Sequence, residues 1–356
     1  MDKHNVAIVG LGGMGSGHAK WLTAEKRANL VGTYDIDPAR QDYARSMGYR
    51  TYESLADVLA DESVEIVLIA TPNHLHKDIA ILAMRAGKNV ICEKPATVGC
   101  AELAEVIKVS KETGKLFVVH QNRRWDEGYL VMKQLYREKA LGEVFNIESR
   151  VLGGRGIPGD WRGKKEFGGG MLYDWGVHLI DQMLQLTDEK IKKIYCQCTH
   201  VTNKEVDDGF KLLLTFANGM TAHIEVGTCN FISLPMWYMA GDQGTAIIGF
   251  WDMEGKVVKL HSWEDKDAKP IEAASGLTKT MGPRDGNSVE ELPIPRIQSN
   301  PREYYANVFD YLEGKADILV KNEQVMRVLR VIELALESAA GPFPLRPQAR
   351  AVLPSS

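Results

Sequence analysis

Nine residues into the chain, the apolar run Val6-Ala-Ile-Val9 breaks into Gly10-Leu11-Gly12-Gly13-Met14-Gly15. This turn constrains the fold more than any other stretch. On a G-x-G-x-x-G spacing each glycine answers a separate steric demand. Gly10 permits the tight turn, Gly12 lets the backbone approach a pyrophosphate, and Gly15 allows a helix to pack closely on a strand. A helix opening near Gly13 presents unpaired N–H groups and the positive end of its dipole to phosphates. The motif alone is weak, since glycine-rich turns are common. Here it lies between a strand and a helix, and Asp35 closes the next apolar run 20 residues after Gly15. A carboxylate there accepts hydrogen bonds from both adenosine-ribose hydroxyls and repels a 2′-phosphate. The expected cofactor is therefore NAD rather than NADP. Ile36 brings no positive charge to a phosphate, whereas Arg40 lies near enough to touch the cofactor.

Residues 1–122 alternate short Val- and Ile-rich runs with amphipathic helical stretches. The runs are 6–9, 28–34, 66–70, 89–92 and 116–119; the helical stretches include 78–86 and 101–113, stopped by Gly87 and Gly114. That alternation predicts an α/β domain with a parallel sheet covered on both faces. From residue 123 to 356 strands follow strands: 144–152, 192–202, 210–216, 220–226, 237–241, 245–250 and 256–260. Asn218-Gly219 between two of them predicts a hairpin with a primed turn. The second domain is thus expected to be α+β with an open, mostly antiparallel sheet. Residues 264–300 are polar and rich in Pro and Gly and are expected to be a long surface excursion. A last helix over 322–340 carries Val325, Leu329, Ile332 and Leu336 on one stripe.

Two further motifs carry chemistry. Glu93-Lys94-Pro95 follows a parallel strand at its carboxyl end, where open α/β sheets bind ligands. A lysine there can donate to a substrate oxygen and stabilise developing alkoxide charge, with Pro95 limiting the backbone that aims it. The segment Phe167-Gly-Gly-Gly-Met-Leu-Tyr-Asp174-Trp-Gly-Val-His178 leads into a helix. On a regular helix Asp174 and His178, four apart, share one face. The carboxylate would then set the imidazole's tautomer and stabilise its protonated form, as a general base near neutral pH requires. The same spacing also suits a plain helix-surface ion pair. No third ligand accompanies it, so no metal is expected.

The chain of 356 residues suits two domains, and its apolar (44%) and charged (25%) fractions are those of a folded globular protein. A net charge of -4 argues against nucleic-acid or anionic-membrane partners. No run approaches the roughly 18 apolar residues of a membrane span, and no signal peptide is visible. Five cysteines without a CxxC pair fit reduced thiols and a cytoplasmic setting.

Together these motifs resemble the glucose–fructose oxidoreductase, inositol dehydrogenase and MocA family. The resemblance spans nearly the whole chain and rests on Gly10–Gly15, Asp35, Ala70-Thr-Pro-Asn-His-Leu-His76, Ala86-Gly-Lys-Asn-Val90, Glu93-Lys-Pro95, Asn122-Arg-Arg124, Asp160-Trp-Arg162 and Gly168 through Asp181. It implies a Rossmann domain followed by the open-sheet domain, with the nicotinamide between them. It implies that Gly13, Met14, Thr71, Pro72, Asn73, His76, Glu93, Trp161 and Arg162 help line the cofactor. Lys94 would contact the reacting hydroxyl, His178 would be the acid/base, and Asp174 would support His178 and touch substrate. Arg123 would border the substrate, a sugar, glycoside or cyclic polyol; Tyr173 and Trp175, which flank Asp174, suit either stacking on a sugar ring or packing in the core. A homodimer or homotetramer formed through the sheet faces follows the same resemblance. It also leaves two other classes open: a glycosidase that retains NAD and oxidises its sugar transiently, and a non-catalytic NAD-binding sensor.

Overall fold

The computed structural model describes residues 3–264, 271–273, 277–279, 284 and 286–340. In the N-terminal half, β1 (His4–Val9), β2 (Ala28–Tyr34), β3 (Ile66–Ile69), β4 (Asn89–Cys92) and β5 (Phe117–Val119) form a five-stranded sheet in the order β2-β1-β3-β4-β5. Every pairing in it is parallel. The four residues of β3 are all buried, as a strand covered on both faces must be. The connecting helices are α1 (Gly13–Ala24), α2 (Pro38–Ser46), α3 (Leu55–Ala60), α4 (His76–Arg85) and α5 (Cys100–Thr113). The alternation read from the sequence therefore produces the expected sheet.

After α6 (Glu127–Arg137) come β6 (Val144–Leu152), α7 (Val177–Leu186), β7 (Ile191–Thr199), β8 (Gly209–Phe216), β9 (Thr221–Gly227), β10 (Trp237–Gly241), β11 (Gly244–Ile248) and β12 (Gly255–Leu260). A two-stranded piece, β13 (Ile271–Ala273) with β14 (Leu277–Lys279), precedes β15 (Val289–Pro293). The large sheet runs β15-β12-β11-β10-β6-β9-β8-β7, and among the described residues its one parallel pairing is β6 with β9. Residues Trp237, Ser149, Ile224, Leu212 and Cys196 lie in register across it and are all buried. The next row, Ile247, Tyr238, Glu148, His223, Leu213 and Tyr195, turns to the opposite face, where Leu213 and Tyr195 are exposed.

Two expectations change. The stretch 264–300 is not wholly a surface excursion: β15 pairs with β12 and forms an edge of the large sheet, where Pro293 is tolerated because an edge strand leaves some donors unused. Much of the rest of that stretch lies outside the described residues. The 218–219 turn is also not primed. Gly219 has φ +91°, but Asn218 is not in the left-handed region. Gly219 N–H donates to Phe216 O (3.1 Å) and Phe216 N–H to Met220 O (2.9 Å). These bonds close a three-residue loop with glycine at the bulge, the alternative hairpin closure that needs only one positive φ.

The C-terminal helices α8 (Glu303–Leu312) and α9 (Asn322–Ala340) return to the first half. Phe309 stacks on His4 with ring centroids 4.7 Å apart. Glu333 of α9 accepts the Cys100 N–H at 2.8 Å, while Ser338 of the same helix accepts the Cys196 N–H of β7 at 3.0 Å. The stripe behaves as expected: Val325, Leu329 and Ile332 are buried and Leu336 is partly so.

Candidate active site

A cleft of about 650 Å³ lies at the carboxyl edge of the parallel sheet, with residues 160–162 and Asp174 on its far wall. Its first half is built by the glycine turn. Gly10 has φ +91°, and a Cβ there would lie 2.6 Å from Ala70 O. A Cβ on Gly15 would lie 2.0 Å from Gly10 O, so α1 can approach β1 only with glycine at that position. Gly12, Gly13 and Met14 line the cleft, and a Cβ on Gly12 or Gly13 meets nothing within 4 Å. No side chain caps α1 and no acid stands in its first turn, so an anion can satisfy its free N–H groups. Asp35 Oδ2 accepts the Leu11 N–H at 2.6 Å and Oδ1 accepts the Asp37 N–H at 2.9 Å, which fixes the carboxylate at the cleft wall beside Arg40. Among the described residues the buried Thr71 hydroxyl has no partner. These features fit a dinucleotide bound along the cleft.

Pro72, Asn73, Glu93, Lys94, Trp161 and Arg162 also line it, as the resemblance implies. Asn73 donates to Gly168 O at 2.8 Å, joining the two walls. His76 does not line the cleft. It is buried, with Nδ1 2.8 Å from Pro95 O and Nε2 2.9 Å from Thr71 O. Burial outweighs these contacts and lowers its pKa. Its place is behind the two cofactor loops, which it braces.

At the other end of the cleft the chain departs from the regular helix assumed for residues 167–178. Leu172–Gly176 is a π-helical turn, and α7 begins only at Val177. A π turn takes more residues per turn than an α-helix, so positions four apart lose their alignment. Asp174 accordingly meets Lys94 and Arg162 and makes no hydrogen bond to His178. Lys94 Nζ donates to Asp174 Oδ1 and to its backbone carbonyl, both at 3.0 Å, and Arg162 Nε lies 3.3 Å from Oδ1. Burial raises the Asp174 pKa, but the two cations outweigh it and hold the carboxyl below its ordinary value. His178, like His76, is not among the residues that line the cleft; it is buried, and among the described residues its Nδ1 has no partner. Burial first, then Lys94 and Arg123, push its imidazole well below the ordinary value. The expectation that Asp174 stabilises a protonated His178 is thus corrected: its surroundings favour the neutral ring.

Arg123 is bonded to Asp126 at 2.9 Å and lies over Trp175, 4.2 Å from the ring centroid. It also faces Trp251 at 5.2 Å. Trp251 carried no sequence signal, because its segment is brought to Trp175 only by the large sheet. Tyr173 donates to Val98 O at 2.6 Å, and burial with nearby carboxylates raises its pKa to about 12. Its hydroxyl is therefore tied to the first domain. Among the described residues no helix is long and apolar enough to cross a membrane.

A cleft with a glycine turn at one end and the Lys94–Asp174 pair in its wall is the arrangement of a nicotinamide-dependent oxidoreductase. The comparisons agree. A family model described as an oxidoreductase family with an NAD-binding Rossmann fold matches residues 4–121, and the GFO/IDH/MocA C-terminal domain model matches residues 129–247. This chain belongs to the GFO/IDH/MocA family of NAD(P)-dependent oxidoreductases. It is 34% identical over 312 residues to an uncharacterized oxidoreductase of Schizosaccharomyces pombe, covering 82% of this chain and 83% of that one. It is 25% identical over 343 residues to the scyllo-inositol 2-dehydrogenase (NADP(+)) IolW of Bacillus subtilis, covering 95% and 94%. A solved NAD-binding protein from Listeria innocua superposes with a TM-score of 0.92 at 46% identity, covering 95% of this chain and 98% of the other.

Proposed function

We propose that this oxidoreductase transfers a hydride between NAD and a ring hydroxyl of a sugar, glycoside or cyclic polyol, with oxidation at C3 of a glycoside as one form. The observation that carries this reading is the Lys94–Asp174 pair at the cleft end beside a buried histidine with a free Nδ1. The bound nicotinamide supplies the hydride acceptor. Lys94, anchored by Asp174, donates to the substrate oxygen and stabilises its developing negative charge. The neutral His178 takes the hydroxyl proton and returns it in the reverse direction. Asp174 holds Lys94 in place and is itself paired with Arg162, and the Trp175–Arg123–Trp251 stack borders the substrate. Inositol 2-dehydrogenases among the relatives support a polyol or sugar substrate. A screen of NADH formation across monosaccharides, inositols and glycosides tests the class; no turnover with any of them would remove it.

Asp35 with uncharged, exposed Ile36 leads us to expect tighter binding of NAD than of NADP. Isothermal titration with both forms decides this. Equal or tighter NADP binding, the cofactor in the name of the Bacillus relative, would overturn the role given to Asp35.

The outward row of the large sheet, with Tyr195 and Leu213 exposed, needs cover. We expect a second copy of the chain to supply it, giving a dimer or tetramer. Light scattering at micromolar concentration checks this, and a monomer contradicts it.

A further inference from the structure

Behind the catalytic lysine lies a cluster that the proposed chemistry leaves unused. Glu93 Oε1 is 2.7 Å from His18 Nε2 and 2.7 Å from His120 Nδ1, and Glu93 Oε2 accepts the Lys94 N–H at 3.1 Å. The Tyr305 hydroxyl bonds His18 Nδ1. The four side chains come from α1, the end of β4, the end of β5 and α8, and all are buried. Trp21 and Tyr304 close around them, with His120 and Tyr304 ring centroids 4.6 Å apart.

Two imidazoles and a carboxylate can also hold a metal ion, and their donor atoms lie close enough here. The contact lengths argue otherwise. Two ligands each ~2.0–2.1 Å from a tetrahedral zinc stand about 3.3 Å apart, whereas 2.7 Å is the length of a direct hydrogen bond from a ring N–H to a carboxylate. The donor chain is also complete without a metal. Tyr305 O–H donates to His18 Nδ1, and His18 Nε2–H and His120 Nδ1–H donate to Glu93, a set of bonds that uncharged imidazoles can make. One negative charge is left, in dry surroundings, on a residue that lines the cleft beside Lys94. A charge so enclosed acts strongly on its neighbours, because little water screens it.

We propose that His18, His120 and Tyr305 clamp Glu93 as an anion in the wall of the nicotinamide end of the cleft, where it favours the positively charged oxidised ring over the neutral reduced one. Glu93 is the group that touches the cofactor; His18, His120 and Tyr305 are positioning residues. The inference rests on the cofactor reading above and on none of its substrate assignments. The enzyme then binds NAD+ more tightly relative to NADH than it would without Glu93.

Dissociation constants for NAD+ and NADH, measured separately by titration without substrate, test this. In Glu93→Gln the ratio Kd(NAD+)/Kd(NADH) is expected to rise at least about tenfold over wild type, the order expected when a nearby unit charge is neutralised at intermediate dielectric. An unchanged ratio in a folded Glu93→Gln protein overturns the proposal. If that variant does not fold by circular dichroism, Tyr305→Phe, which loses a single hydroxyl, decides: a rise of roughly two- to fivefold is expected for a weakened clamp, and no rise overturns the proposal. A ratio or thermal midpoint lost with chelator and restored by zinc would make the cluster a metal centre and overturn the proposal. A wild-type protein that binds neither form overturns the cofactor reading itself. An empty substrate screen leaves these binding results untouched.

Discussion

Lys94→Ala and His178→Ala are each expected to lower turnover by about 100- to 10,000-fold while NAD affinity stays near normal. Lys94 lines the cleft and His178 is buried near it, apart from the glycine turn and Asp35, to which we assign the phosphates and the adenosine ribose. Single-turnover hydride transfer beside a direct NAD titration separates the two effects. Asp174→Asn should be intermediate in rate between wild type and these alanine variants and raise KM, because the carboxamide loosens Lys94 and Arg162 together. The pH profile carries a further sign. His178 has a folded-state pKa lowered from 6.5, so it remains neutral as pH falls through that value. The oxidation rate should lose its histidine limb only well below pH 6.5. A limb at or above 6.5, or a wild-type rate in His178→Ala across the pH range, would assign the proton transfer to another group.

The second large effect is expected at Gly15. Its missing Cβ would lie 2.0 Å from Gly10 O, a backbone atom in a turn that is itself pinned against Ala70. Gly15→Ala must push α1 off the sheet, at a cost of about 1–3 kcal/mol or more for overpacking. It also carries the phosphate-binding end of the helix away from the cleft, so NAD binding should be lost. Gly17, one half-turn on, has nothing within 4 Å of its Cβ position. Gly17→Ala should therefore leave NAD binding intact and stabilise the chain by roughly 0.4–1 kcal/mol. Thermal melts with and without NAD compare the pair. Equal behaviour of the two variants would show that close packing at Gly15 is not what the turn requires.

The parallel sheet was legible because each of its strands is a short apolar run bounded by its own turn, a local signal. The glycine turn, Asp35 and Lys94 were legible for the same reason: each owes its place to residues within a few positions. What failed depended on the backbone departing from its regular period or on distant partners. Asp174 and His178 were read on a 3.6-residue spiral, and the π turn at Leu172–Gly176 sends Asp174 to a lysine 80 residues earlier. The Glu93 cluster had no sequence signal, since His120 lies 27 residues from Glu93 and Tyr305 lies 287 from His18. The edge strand Val289–Pro293 was hidden by the polar composition of its surroundings, and an edge strand needs few apolar residues.

The placement of α8 and α9 has a consequence for how the protein is made. His4, in the first strand, bonds Glu313, 309 residues later, and Asn322 at the start of α9 donates to Phe117 O. The last residue proposed to touch the cofactor is Arg162, yet the flank of the sheet that positions it is covered by helices from beyond residue 300. During translation the first five strands emerge from the ribosome long before that cover exists. Contacts of such sequence separation form slowly, and a half-covered sheet exposed meanwhile invites misassociation and chaperone capture. A premature stop before residue 303 would thus spare every proposed cofactor contact and still leave the nascent N-terminal half without the partners it packs against.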